Sequence, residues 1–241
     1  MIPDVVSTAT VKEIDCVKFL KQELPSSLLD PEDAGFLTEA TYLRFARARN
    51  ADKKKASTML RSCLEWRKEF KPYKVSFDEV EKAMQQLTTT VAGCSLKGEP
   101  VVVLSVGAPN SCEVEERVKQ IVYIMEEALR RGGGRLTWII DFAQMGKHPR
   151  DPRSSGARKT TMKIMQDYYP EMLGTLLVYR SPWYVRFLYS AVKPFMDART
   201  RKKVLFLGHD EKLLLLHVAK DQLPTSLGGT YSNKDHKTLW E

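Results

Sequence analysis

The chain has no GxSxG elbow, no phosphate-binding P-loop and no apolar run long enough to cross a bilayer. The first absence removes the usual nucleophile of an α/β-hydrolase. The second holds even at Gly146-Lys147-His148, which lacks the earlier glycine and the following hydroxyl residue that would cradle a nucleotide. Cys16, Cys63, Cys94 and Cys112 are scattered without a CxxC pair, so reduced thiols are expected rather than a disulfide framework or zinc site. His148, His209, His217 and His236 show no metal-ligand spacing, and His217 lies in a leucine-rich stretch read as a helix, where packing explains it. Glycines 132–134 follow a helical stretch and precede a strand, the reverse of a dinucleotide fingerprint. The first twenty residues hold Asp4, Glu13 and Asp15 and no apolar signal core. Covalent catalysis is therefore not expected.

Of the 241 residues, 43% are hydrophobic and 28% charged, as in an ordinary globular protein. That length suits one large domain, or a small domain packed on a larger one. A formal charge of +8 favours an anionic partner, either nucleic acid or acidic lipid. No nucleic-acid-binding module accompanies the charge, which favours the lipid surface.

Residues 1–75 read as all-helical, with helices over 11–24, 39–49 and 51–70 and a polar turn at 25–32. In the last of these helices Ala56, Met59, Leu60, Cys63, Leu64 and Phe70 recur at three- and four-residue steps, and Asp52 can cap its start. Pro72 marks a boundary, after which strands and helices alternate: strand 101–106, helix 114–131 stopped by the glycines, strand 136–142, helix 155–168, strands 175–179 and 204–207. This alternation predicts a mainly parallel sheet with right-handed crossovers. The tail from residue 232 is polar.

Between the last two strands, residues 181–196 are apolar around most of the helical wheel: Trp183, Tyr184, Val185, Phe187, Leu188, Tyr189, Ala191, Val192, Phe195 and Met196. Ser181 can cap such a helix, and Pro182 suits its first turn. A helix apolar on all sides is buried or faces lipid, and this one is too short to span a bilayer. It reads as a lid with hydrophobic cargo on one side and a membrane on the other.

Tyr168-Tyr169-Pro170-Glu171, Lys193-Pro194-Phe195-Met196-Asp197, Lys203-Val204-Leu205-Phe206-Leu207-Gly208 and Leu223-Pro224 with Leu227-Gly228-Gly229-Thr230 occur in order. Together with the run at 42–49 and Glu65-Trp66-Arg67, they resemble the CRAL-TRIO family over nearly the whole chain, in its phosphatidylinositol transfer protein branch. The resemblance implies an α/β fold: a helical subdomain (1–75) packed on a lipid-binding domain (76–241), whose five-stranded, mainly parallel sheet floors a cavity closed by the gate helix 181–196. It implies a cytoplasmic, peripheral-membrane monomer that binds phosphatidylinositol, transfers or presents it at anionic membranes, and exchanges it for a second apolar ligand.

For the head group, the resemblance points to Glu171, Lys203, Thr200 and Arg49. An ammonium meets the phosphate while a carboxylate accepts the ring hydroxyls; the bland alternative is a surface salt bridge. Asn50 stands where the family pattern has a lysine. Positions that carry hydroxyls in phosphatidylcholine-binding members correspond to Val91, Val102, Leu136 and Trp138, so phosphatidylcholine is not expected as the second cargo. Val102, Leu136, Trp138 and Tyr179 are the expected cavity residues, and no cofactor beyond bound phospholipid is implied. The alternative is a carrier or sensor of a sterol, isoprenoid or haem; for haem, Tyr179 and His148 are possible axial donors. Two basic clusters, Arg199, Arg201, Lys202 and Lys203, and Lys147, Arg150, Arg153, Arg158 and Lys159, together with Trp183 and Tyr184, suit an anionic interface. The plain alternative is a solvated surface.

Overall fold

The computed structural model describes residues 8–131, 134–196 and 198–232. The first two glycines of the 132–134 stop, Asp197 of the KPFMD motif, nearly all of the polar tail and the side chain of Phe195 lie outside the described residues.

Three helices come first: α1 (Val11–Glu23), α2 (Glu39–Ala48) and α3 (Lys53–Phe70). Thr10 opens α1 with a reciprocal cap: its amide donates to Glu13 Oε2 at 2.9 Å, and its hydroxyl accepts the Glu13 amide at 3.3 Å. The expected cap of α3 is present, Asp52 Oδ1 accepting the Lys55 amide at 3.0 Å. Leu20, Phe45, Leu60 and Cys63 pack these helices into one apolar cluster. Then follow α4 (Phe77–Met84), β1 (Thr89–Cys94), β2 (Pro100–Ser105), α5 (Val114–Arg130), β3 (Leu136–Asp141), α6 (Arg153–Tyr168), β4 (Leu173–Tyr179), α7 (Trp183–Val192), α8 (Ala198–Lys203), β5 (Val204–Gly208) and α9 (Glu211–Leu215).

The five strands lie in sequence order, β1 antiparallel to β2 and the others parallel. The mainly parallel sheet is as expected. Strand alternation sorts its side chains onto two faces. Val101, Val103, Ile139, Leu177 and Leu207 face Leu214, Val218, Leu223 and Leu227 of the C-terminal segment. Val102, Leu136 and Trp138 face the other way, under Val118, Ile121 and Val122 of α5 and Ile164 of α6.

Three local expectations are corrected. The gate stretch is not one helix to residue 196: α7 ends at Val192 and tightens into a 3-10 turn, Lys193–Phe195. Pro194 lacks the N–H an α-helix needs, and its ring would crowd the carbonyl four residues back. Nor does Ser181 cap it, because extended Pro182 occupies the cap position and offers no side-chain acceptor. His217 falls beyond α9, its amide donating to the Leu214 carbonyl at 3.0 Å; burial, with Lys97 nearby, holds its imidazole below the ordinary pKa.

At Gly174 a Cβ would stand 2.3–2.4 Å from the carboxylate of Glu99, which is buried and accepts the Thr137 hydroxyl at 2.7 Å. Gly174→Ala is expected to lower folding free energy by about 1–3 kcal/mol, the usual cost of overpacking. Urea titration checks this, and an unchanged midpoint would mean that Glu99 leaves its place freely.

Candidate functional site

Parallel neighbours start at the same sheet edge, which brings together two residues far apart in the chain. Glu171 precedes β4, and Lys203 ends α8 directly before β5. Lys203 Nζ donates to Glu171 Oε2 at 3.4 Å, both side chains about one-fifth exposed (19% and 21%). Glu171 has φ +61°, left-handed backbone that typically costs a residue with a side chain about 1–3 kcal/mol. Thr200 is half-buried one turn before Lys203 on α8. Arg49 is not joined to the pair; it follows α2 and donates to the Ala48 carbonyl at 3.1 Å.

From this edge the apolar face runs in two rows across the strands. One is Val102–Trp138–Leu176–Val204, and the other Leu104–Ile140–Val178–Phe206. Val102 and Trp138 are buried, whereas Leu176, Val204, Ile140 and Phe206 are half-buried. The expected cavity residues Val102, Leu136 and Trp138 thus lie at the covered end, beneath α5. Tyr179 is a correction: it alternates with Val178 onto the opposite face and joins the cluster there with Leu177 and Leu214. Ile140, Leu176, Val178, Val204 and Phe206 were not singled out from sequence, although the two-residue alternation of their strands carries the signal.

The helix α7 lies over the open end of these rows, Tyr189 meeting Phe206 at 5.1 Å between ring centres. None of its residues is buried; Trp183 is 80% and Phe187 67% exposed, and Leu188 and Tyr184 are also exposed. Its leading end is held by Arg180, whose Nε and Nη2 donate to the two Asp141 carboxylate oxygens at 2.7 and 2.6 Å. Tyr184 Oη lies 3.3 Å from Met145 Sδ in the loop after β3.

Beyond the trailing end, Arg199 of α8 donates to Glu13 Oε1 at 3.3 Å, and Arg47 Nε lies 3.4 Å from the same oxygen. Burial opposes the charge on Glu13, but the Thr10 amide and Arg47 prevail and hold its carboxyl below the usual range. The first basic cluster is therefore partly engaged: Arg199 by Glu13 and Lys203 by Glu171. In the second, Arg153 is paired with Asp151 and Glu113, whereas Lys147, Arg150, Arg158 and Lys159 are exposed. No cluster of metal-ligating side chains occurs among the described residues, and no helix among them is long and apolar enough to cross a membrane.

Compared with known proteins, residues 84–229 match the family model described as CRAL/TRIO domain. The chain belongs to this family. It is 29% identical over 231 residues to the Sec14 cytosolic factor of Schizosaccharomyces pombe, covering 86% of this chain and 80% of that protein. It is 27% identical over 223 residues to Patellin-6 of Arabidopsis thaliana, with 84% and 53% coverage, so it spans about half of that relative. A protein of Arabidopsis thaliana named phosphatidylinositol/phosphatidylcholine transfer protein SFH13 is 27% identical over 240 residues, with 90% of this chain and 38% of that one covered. The crystal structure of Sfh5 superposes with a TM-score of 0.66 at 21% identity, covering 96% of this chain and 91% of that one, a likeness of fold.

Proposed function

We propose that the protein binds and transfers lipid, that the lipid is phosphatidylinositol, and that it is exchanged at an anionic membrane for a second, apolar ligand that is not phosphatidylcholine. The observation that carries this is the Glu171–Lys203 pair at the edge of an apolar strand floor whose covering helix α7 has none of its own residues buried. The name of SFH13 supports the lipid-transfer class. The ammonium of Lys203 would meet the phosphate, and Glu171 would accept the ring hydroxyls. Acyl chains laid between α7 and the floor leave water at about 25 cal/mol per Å², which supplies most of the affinity. Val102 and Trp138, buried beneath α5, offer a choline phosphate no hydroxyl. Movement of α7 about the Arg180 end would open the floor to the membrane.

The test is transfer of radiolabelled phosphatidylinositol and phosphatidylcholine between vesicles. Lys203→Ala removes a charge-assisted bond of about 1.5–3 kcal/mol, so inositol-lipid transfer should fall roughly tenfold to a hundredfold. Choline lipid should move with neither protein. Full transfer by Lys203→Ala would sink the head-group assignment.

One observation favours a second candidate. Glu171 and Lys203 already satisfy each other, as they would in a carrier of an uncharged sterol or isoprenoid. Mass spectrometry of the ligand extracted from the purified protein separates the two. Haem is less well served, since Tyr179 lies on the far face of the sheet and His148 is exposed.

A further inference from the structure

Glu171 keeps its left-handed backbone (φ +61°), and such a conformation persists only where the surroundings over-determine it. On the C-terminal side, the Met172 carbonyl accepts the Leu136 amide at 2.9 Å, the first bond into the sheet. On the N-terminal side stands Pro170, with its ring-fixed φ, and before it buried Tyr169. The Tyr169 amide closes α6 on the Met165 carbonyl at 3.2 Å. Its ring meets Trp66 edge-on at 5.8 Å, and its hydroxyl donates to Glu126 Oε1 at 2.6 Å. Glu126 is itself clamped by Arg67, at 2.8 and 3.0 Å, and Arg67 holds Asp33 at 2.6 Å through two nitrogens. The clamp spans α3, the Pro31–Phe36 turn and α5, so the helical part reaches the turn ahead of β4.

We infer that Tyr169 is a positioning residue of the head-group site: the Asp33–Arg67–Glu126 clamp, acting through the Tyr169 hydroxyl, sets the turn that aims Glu171 at Lys203. The inference rests on the head-group role proposed above for Glu171. Without the hydroxyl bond, one end of the turn slackens, Glu171 relaxes toward unstrained backbone, and its carboxylate leaves Lys203. The helix α3 and the Pro31–Phe36 turn, both ahead of the family-matched region, are then part of lipid recognition.

A double-mutant cycle on inositol-lipid transfer between vesicles tests this, with thermal unfolding run alongside to show that each variant is folded. Tyr169→Phe and Glu171→Gln should each lower transfer roughly fivefold or more, and the double variant should transfer no less than Glu171→Gln alone. A purely structural role for Tyr169 would make the two losses multiply. Multiplied losses, or full transfer by Tyr169→Phe, overturn the inference and leave the head-group assignment standing. A wild type that moves no inositol lipid, or a silent Glu171→Gln, removes that assignment and the inference with it.

Discussion

Arg67→Ala is expected to cost about 3–5 kcal/mol of folding free energy, the usual consequence of stripping one partner from a buried ionic cluster. Arg67 is 1% exposed. Its guanidinium lies under the Phe36 ring, 3.8 Å from the centroid, and ties Asp33 to Glu126. Burial works against the charge on Arg67, yet the bonds it donates to Asp33 and Glu126 outweigh that and hold its pKa above that of a free guanidinium. One cation faces two carboxylates, so a negative charge is left over, and burial pushes the Asp33 carboxyl above its ordinary value. Alanine leaves the Asp33 carboxylate buried without the guanidinium that bonds it, and burial should then make it bind a proton more tightly folded than unfolded. The folded state of the variant thus holds more protons than the unfolded state, and its stability falls as pH rises. The deficit should therefore be larger at pH 7 than at pH 5. Urea titrations at those two values check both statements. A loss below about 1 kcal/mol, no more than an exposed pair is worth, would mean that the cluster adds no more than a surface pair.

Where the fold was legible in sequence, one period was strong and uninterrupted. The helix expected at 114–131 is α5, Val114–Arg130, because Val118, Ile121, Val122 and Met125 mark a single face and Glu113 caps the start. Strand β1 was not placed from the residues, although the resemblance implied five strands. Its apolar residues, Val91 and Ala92, adjoin Gly93, and the strand is held by antiparallel pairing with β2 and by Gln222 Oε1 accepting the Cys94 amide. The gate helix was legible as apolar but not as broken, since the effect of Pro194 was outweighed by the residues around it. Tyr179 shows a different limit. Alternation alone sets it opposite Val178, but only the assembled sheet shows which face α5 and α6 cover. Glu171 and Lys203 could be read from motifs, and strands β4 and β5 join them. The clamp behind Tyr169 could not be, because nothing local to Arg67 says that its carboxylates come from residues 34 and 59 positions away.

The exposure of α7 leads to the opposite combination, an unchanged fold with lost function. Trp183 and Phe187, 80% and 67% exposed, stand in water. Replacing both by aspartate removes little packing, so stability should change by no more than about 0.5 kcal/mol, as at other surface positions. At a bilayer the same two rings have an apolar phase to enter, and each loses about 1.5–3 kcal/mol of burial when it becomes a carboxylate. Repulsion from anionic lipid adds to the loss. The doubly substituted protein should therefore transfer inositol lipid roughly a hundredfold more slowly or worse, with its unfolding temperature unmoved. Leu96→Asp is the control: that leucine is also exposed, but its amide donates to the His217 carbonyl, on the side of the sheet away from α7. Equal losses in both proteins would show that any charge on an exposed apolar residue blocks transfer, and α7 would lose its place as the membrane-facing gate. Loss confined to the α7 variant would locate the contact with the bilayer on the two rings that the folded protein leaves unburied.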